Sequence, residues 1–440
     1  MRWLLNAVYM LLLVSISPVI AWRMFRHGRY RQGLAEKLLG RVAIKADGRP
    51  VVWFHAVSVG EVIQLQKVVD EFRRRTREEF QIVVSTSTDT GWELVQKRFA
   101  DCQMTWFPLD FSWAVHQAIQ RIKPAQVVLM ELELWPNFLA ECHRQDVPVS
   151  IINARMSERS HRGYCRIRSL LKPLFSQLAL VAAQSKTYAD RLISLGAPEE
   201  RTIVTGSIKF DGVETSRTNP KTENLRRVFG LKPDETVFMA GSTQEPEEHL
   251  ALETWIQLQN QHPRLRLILV PRHRERFDEV AALIASRKIP LLRRSLIQHA
   301  ARQQAETDSK PVILLDTIGE LSACWGLADV AFVGGSFGNR GGQNMMEPSA
   351  YGACVLFGPN TWNFRDIVER FRESDGCVQL QSPDQLTSTV DEMLNDPARR
   401  LQLGRNAQRT VLQQQGATTR TAELLHEVLL PVTIPLRRVA

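Results

Sequence analysis

The chain has 440 residues, 44% hydrophobic and 23% charged, with a formal net charge of +9. That length predicts two domains and the composition excludes a disordered chain, while six scattered cysteines without a C-x-x-C pair exclude a disulfide frame or zinc site and indicate a reducing compartment. The positive surplus suits an anionic membrane surface, a phosphorylated lipid or a nucleotide, and no nucleic-acid-binding pattern accompanies it.

From Trp3 to Trp22 no residue is charged, although Asn6 and Pro18 interrupt the apolar run. Arg23, Arg26, Arg29 and Arg31 follow, whereas only Arg2 precedes. Residues 1–22 therefore read as an uncleaved anchor, spanning or lying on a membrane, with the rest of the chain on the cytoplasmic side. A cleaved signal peptide competes, but its charge belongs before the apolar run.

Strands are expected at Val51–His55, Ile82–Ser87, Thr105–Leu109, Val127–Glu131, Val149–Asn153, Leu180–Ala183 and Ile203–Thr205. A second set follows at Val237–Ala240, Leu267–Val270, Val312–Leu315, Val330–Val333 and Cys354–Phe357. Near-continuous apolar strands separated by helical patterns imply parallel sheets covered on both faces. The fold class is α/β: two Rossmann-like domains facing each other across a cleft, residues 23–211 and 225–430. Polar residues 212–224, including Pro220, read as the linker. A helical pattern over Ser382–Leu429 is expected to close the second domain, and ligands to sit at the strand C-terminal ends.

Seven places could carry chemistry. His55–Glu61 reads H-A-V-S-V-G-E before an amphipathic helix; Ser58 and Glu61 fit a capping box, yet a carboxylate at a helix N-terminus could also accept a proton. In V-V-L-M-E-L-E-L-W-P-N, Glu131 and Glu133 end an apolar strand, and period-two alternation puts them on one side. Lys209, in T-G-S-I-K-F-D, could pair with Glu131 or share in stabilising a charged transition state. Arg155, Arg159, Arg162 and Arg166, spaced four, three and four, would share one helix face toward solvent, an acceptor phosphate or a membrane. Arg272, just past a strand, suits phosphate or carboxylate. The segment Asp316–Leu321, D-T-I-G-E-L, ends another strand. Gly334–Ser349, with five glycines after an apolar strand and a helix expected from Asn344, reads as a phosphate cradle or as a tight turn.

Taken in order, S-V-G-E, E-L-W-P-N, I-N-A-R, G-S-I-K-F-D, V-P-R-H-x-E-R-F, G-E-L, F-V-G-G-S and G-G-x-N-x-x-E resemble the 3-deoxy-D-manno-octulosonic acid (Kdo) transferases of lipopolysaccharide assembly, glycosyltransferases of the GT-B fold. The match runs from the N-terminal anchor to about Phe371. The resemblance implies Kdo transfer from CMP-Kdo to a bisphosphorylated lipid A precursor at the inner membrane, inverting and without metal or other cofactor. It implies Glu61 as general base and Glu131 and Lys209 as transition-state stabilisers. CMP contacts fall to Pro271, Arg272, Ile318, Gly319, Glu320, Asn344, Met345, Met346 and Glu347. The chain departs from the family pattern at Leu132, often Thr, and at Met345 and Met346, where another pair is usual. A GT-B enzyme for another nucleotide sugar, or a non-catalytic tethered nucleotide-binding protein, are the alternatives. A dehydrogenase is disfavoured because neither first strand is followed by G-x-G-x-x-G.

Overall fold

In a computed structural model the described residues are 2–27, 32–45, 47–297 and 310–430; Arg29 and Arg31 of the basic cluster lie outside them. The chain divides into two compact units. One runs through Asp211 and regains the chain from Gln414 onward; the other is Gly212–Gln413.

The first unit holds an all-parallel sheet of strands β1 (Val51–His55), β2 (Gln81–Thr86), β3 (Gln103–Trp106), β4 (Pro124–Met130), β5 (Val149–Ala154), β6 (Leu180–Ala183) and β7 (Thr202–Val204). Its order is β3-β2-β1-β4-β5-β6-β7. Because side chains alternate across a strand, Val51 and Trp53 enter one core while Val52 and Phe54 enter the other. Both faces are therefore apolar, as parallel sheets require.

The second unit repeats the plan with β8 (Thr236–Thr243), β9 (Leu265–Pro271), β10 (Leu291–Arg293), β11 (Val312–Leu314), β12 (Val330–Val333), β13 (Cys354–Phe357) and β14 (Cys377–Gln379), in the order β10-β11-β9-β8-β12-β13-β14. β10 and β14 are edge strands of three half-buried residues, too short to show a strand pattern in the sequence.

Two expected boundaries are corrected. Residues 212–224 are not a free linker. Asn219 caps the helix Pro220–Val228, and Thr222 is buried with its hydroxyl on the Ala323 carbonyl (2.8 Å). Arg217 donates to the carbonyls of Tyr351 (2.8 Å) and Ala328 (2.7 Å), holding the segment to the second unit. The pattern over 382–429 is three helices, and the last, Ala417–Leu429, belongs to the first unit. There Ala417, Ala422 and Leu425 join the core around Phe54 and Phe72, and Asp211 caps the helix by accepting the amides of Gly416 (2.7 Å) and Thr418 (2.6 Å).

The apolar N-terminal segment is a helix, Arg2–His27, with Leu4, Leu11, Leu12, Val14 and Val19 exposed. Its start is fixed to the first unit. Buried Asn6 donates to the Ser112 hydroxyl (2.7 Å) and accepts from the Ser112 amide (3.0 Å) and the Asn137 side chain (3.2 Å), while the Tyr9 hydroxyl reaches Asp110 (3.0 Å). Burial pushes the Asp110 carboxyl up to about 6, against the amides of Asn137 and Phe138 that favour its charged form. Beyond the helix, the Lys37 and Leu38 carbonyls accept from the Leu109 amide (2.7 Å) and the Trp113 indole (2.9 Å). The segment thus leaves from, and returns to, residues 109–113.

Candidate functional site

In each sheet the strand order reverses between two neighbours, β1 with β4 and β8 with β12, and the chain leaves them in opposite directions. Such switch points are where doubly wound sheets bind ligands.

At the first switch point, Ser58 caps the helix Val59–Arg75 by accepting the Glu61 amide (3.2 Å). The Ser58 hydroxyl donates to Glu61 Oε1 (2.7 Å) and the Val57 amide to Oε2 (2.9 Å). The capping box is real, and it is also what aims the carboxylate. Glu61 is 8% exposed, and each of its oxygens keeps a second lone pair.

Past β4, Glu131 lies in a turn with φ +56°, a left-handed conformation costing a side-chain-bearing residue roughly 1–2 kcal/mol. Glu131 and Glu133 therefore do not continue the strand, and period-two alternation is not what groups them. Glu131 accepts from Arg155 Nε (2.7 Å), so the expected pair with Lys209 gives way to one with arginine. Glu133 accepts from the Trp135 indole (3.0 Å). Burial, then the negative charges of Glu61 and Glu131, push its carboxyl up to about 7 against that hydrogen bond. Lys209 sits half-buried on the short turn Ile208–Phe210.

Asn153, in left-handed backbone at φ +51°, joins these parts. Its side chain donates to Gln64 Oε1 (3.0 Å) and accepts the Ile208 amide (3.2 Å), and its carbonyl accepts from Gln184 (2.8 Å). Gln64 in turn donates to the Gly60 carbonyl (3.1 Å). The network links the turn carrying Glu61 to the turn carrying Lys209. I-N-A-R carried the signal for it: an asparagine near the end of a fully buried strand whose one other polar side chain is the small Ser150.

The arginine stripe does not form. Arg155 precedes the helix Glu158–Cys165, separated from it by Met156 and the capping Ser157. Arg159 and Arg162 are exposed on that helix, where Arg162 pairs with Glu158, and exposed Arg166 is its C-cap.

At the second switch point the glycine-rich loop departs from its expected use. The consecutive amides of Gly335 (2.7 Å), Ser336 (3.0 Å) and Phe337 (3.2 Å) all donate to the carboxylate of Glu247, which also takes the Gln244 amide (3.0 Å). The nest that looked ready for a phosphate already holds an anion from the chain itself. Burial pushes the Glu247 carboxyl up while these four amides pull it down. A helix does follow, but it is the five residues Met346–Ala350 rather than one starting at Asn344. Asn344 accepts the Met346 amide (3.1 Å) and donates to Glu347 Oε1 (3.0 Å).

Glu347 lies among Asn344, Ser322 and Arg272. Burial raises its carboxyl, while hydrogen bonds from Asn344 and Ser322 and the Arg272 charge oppose the rise. Arg272 is exposed, one residue beyond buried Pro271 at the end of β9. Ser322 escaped the sequence reading; only its place two residues past Glu320 pointed to it. Glu320 itself is occupied, accepting from Arg294 (2.9 Å) and the Thr317 hydroxyl. Ile318 is exposed, and Gly319, at φ +92°, has open space around it, so this turn offers backbone. Met345 and Met346 are buried.

A family model described as 3-deoxy-D-manno-octulosonic-acid transferase matches residues 26–212. The 3-deoxy-D-manno-octulosonic acid transferase of Haemophilus influenzae is 34% identical over 403 residues, covering 91% of this chain and 92% of that protein. The chain belongs to the Kdo transferase family. The Bordetella pertussis Kdo transferase is 32% identical over 442 residues, covering 96% of this chain and 99% of its own length. Among solved structures, UDP-GlcNAc 2-epimerase from Neisseria meningitidis, 12% identical, matches with a TM-score of 0.55 over 86% of this chain and 100% of that one. That likeness concerns the fold alone, two Rossmann-like units of the GT-B type. As a Kdo transferase, the chain is a glycosyltransferase of lipopolysaccharide synthesis.

Proposed function

We propose that this Kdo transferase moves Kdo from CMP-Kdo to a bisphosphorylated lipid A precursor, with inversion, at the cytoplasmic face of the inner membrane. The observation that carries the reading is Glu61: a carboxylate locked at a sheet switch point by Val57 and Ser58, with a lone pair left for a proton. In the proposed reaction the acceptor hydroxyl oxygen attacks the anomeric carbon of Kdo, its proton passes to Glu61, and the bond to CMP breaks with its electron pair leaving on the phosphate oxygen. Oxocarbenium character at that carbon is stabilised by the carboxylate of Glu131, held in place by Arg155. Lys209 supplies positive charge for the anionic substrates.

CMP is assigned to the second unit: the phosphate to Arg272, the ribose to Glu347 oriented by Asn344, and further contacts to Pro271 and the backbone of Ile318–Glu320. Met345 and Met346 contribute only main chain, because their side chains are in the core. Exposed Arg159 and Arg166, with Arg162 beside its partner Glu158, are assigned to anionic head groups; Arg155 leaves that set. Contacts to residues 109–113 from Asn6 and Tyr9 at the helix start and from Lys37 and Leu38 beyond its end favour an anchor lying on the membrane over one crossing it, since a crossing would put Asn6 and Lys37 on opposite sides.

Mass spectrometry of the product from CMP-Kdo and a defined lipid A precursor tests the reading. Addition of Kdo is expected; turnover of UDP-sugars without turnover of CMP-Kdo overturns it.

A further inference from the structure

Glu247 has no part in the chemistry above, yet it is 1% exposed and lies against the loop richest in glycine. It is the first residue of the helix Glu247–Leu258, which follows β8, and its carboxylate closes on three successive amides of the segment that follows β12. The loop is shaped for this contact. A Cβ added at Gly334 would stand 2.7 Å from Glu247 Oε2 and 2.6 Å from the Thr243 Cα, so only glycine admits the approach. Gly335 takes φ +68°, turning its amide inward.

The far side of the loop is pinned as well. Gly342 donates to the Gly335 carbonyl (2.8 Å), Asn360 to the Ser336 carbonyl (3.0 Å), and Gly358 to the Ser336 hydroxyl (2.9 Å). The chain leaves this knot directly into Gln343 and Asn344. The Glu247 carboxylate therefore sits where a phosphate sits in other glycine-rich loops, and its interactions set the starting point of the segment carrying Asn344 and Glu347.

We infer that Glu247 is a positioning residue for the donor site: an internal carboxylate that takes the place of a bound phosphate in the glycine-rich loop and through it orients Asn344 and Glu347 toward the nucleotide. The inference rests on the donor reading above. It also implies that the CMP phosphate is held elsewhere, by Arg272 and the Ile318–Glu320 backbone.

Full-length protein in detergent micelles, unsubstituted and as Glu247→Gln, provides the test. Glutamine keeps the size but turns an –NH2 toward N–H groups that need an acceptor. CMP affinity and the KM for CMP-Kdo are expected to weaken about tenfold or more, the KM for the acceptor to stay within about twofold, and the amides of Gly335–Phe337 to exchange faster with solvent. A variant that melts earlier but binds CMP and CMP-Kdo as before shows a merely structural carboxylate and overturns the inference. Should Glu247→Gln not fold, Glu247→Asp, which keeps the charge and withdraws it by one methylene, is read in the same way. If the unsubstituted protein itself binds no CMP, the donor reading fails first. The positioning role falls with it, whereas CMP binding by the unsubstituted protein that Glu247→Gln leaves unchanged overturns the positioning role alone.

Discussion

Glu61 and Glu247 occupy the same place in two copies of one plan, the first turn of the helix that follows the strand beside the switch point. In the first unit the carboxylate is held by its own turn, Val57 and Ser58, and its neighbours across the switch are carboxylates, Glu131 and Glu133. In the second it is swallowed by the opposite loop, three of whose amides, together with that of Gln244, fill its four accepting positions. The difference lies in what the neighbouring strand delivers. A turn bearing acids leaves the helix-end carboxylate with accepting positions open; a run of glycines lets backbone close over it.

The strongest attack on this contrast is Glu61→Gln. Glutamine still satisfies the capping box, so the melting temperature should hold while Kdo transfer falls by about two to four orders of magnitude, the range of a lost general base. Transfer within a few-fold of the parent would remove Glu61 from the chemistry. Next in size is Arg272→Ala. If the second unit's glycine-rich loop is already filled, the nucleotide depends on this arginine, and CMP affinity by calorimetry should drop roughly tenfold with the acceptor KM unaltered. Gly334→Ala probes the closed loop directly. Its Cβ meets the backbone at 2.6 Å, and a cost of about 1–3 kcal/mol in chemical unfolding is expected; no measurable cost would mean the loop is not closed on Glu247.

The smallest effect belongs to Glu133→Gln. The folded-state carboxyl titrates near 7, above the value of about 4.3 in an unfolded chain. Its contribution to stability is thus fully present below the unfolded value and lost as pH rises through 7. Removing the charge should raise the melting temperature slightly at pH 8.5, with the gain fading by pH 4. A gain that does not depend on pH would break the idea of three interacting acids at the first switch point.

The two sheets were largely legible because their central strands are apolar on both faces, and Val51–His55 or Val330–Val333 admit few other readings. The edges were not: Leu291–Arg293 and Cys377–Gln379 are half-exposed and have no such run. The residues of the two sites could be named from local motifs, but their partners could not. Arg155 fits a helical spacing with Arg159 and Arg162, and only the cap at Ser157 ends that helix short of it. The Glu247 contact joins residues 88 apart. Nothing local in either segment says that a carboxylate, rather than a bound phosphate, would fill the glycine-rich loop.

The helix Ala417–Leu429 gives the chain an unusual calendar. Domains generally take shape in the order in which they leave the ribosome. Here the unit begun first keeps an open place in its core, beside Phe54 and Phe72, until all of the second unit has been made. The acid-lined switch point around Glu61 is synthesised before the second unit, and the helix that completes its supporting core only after it.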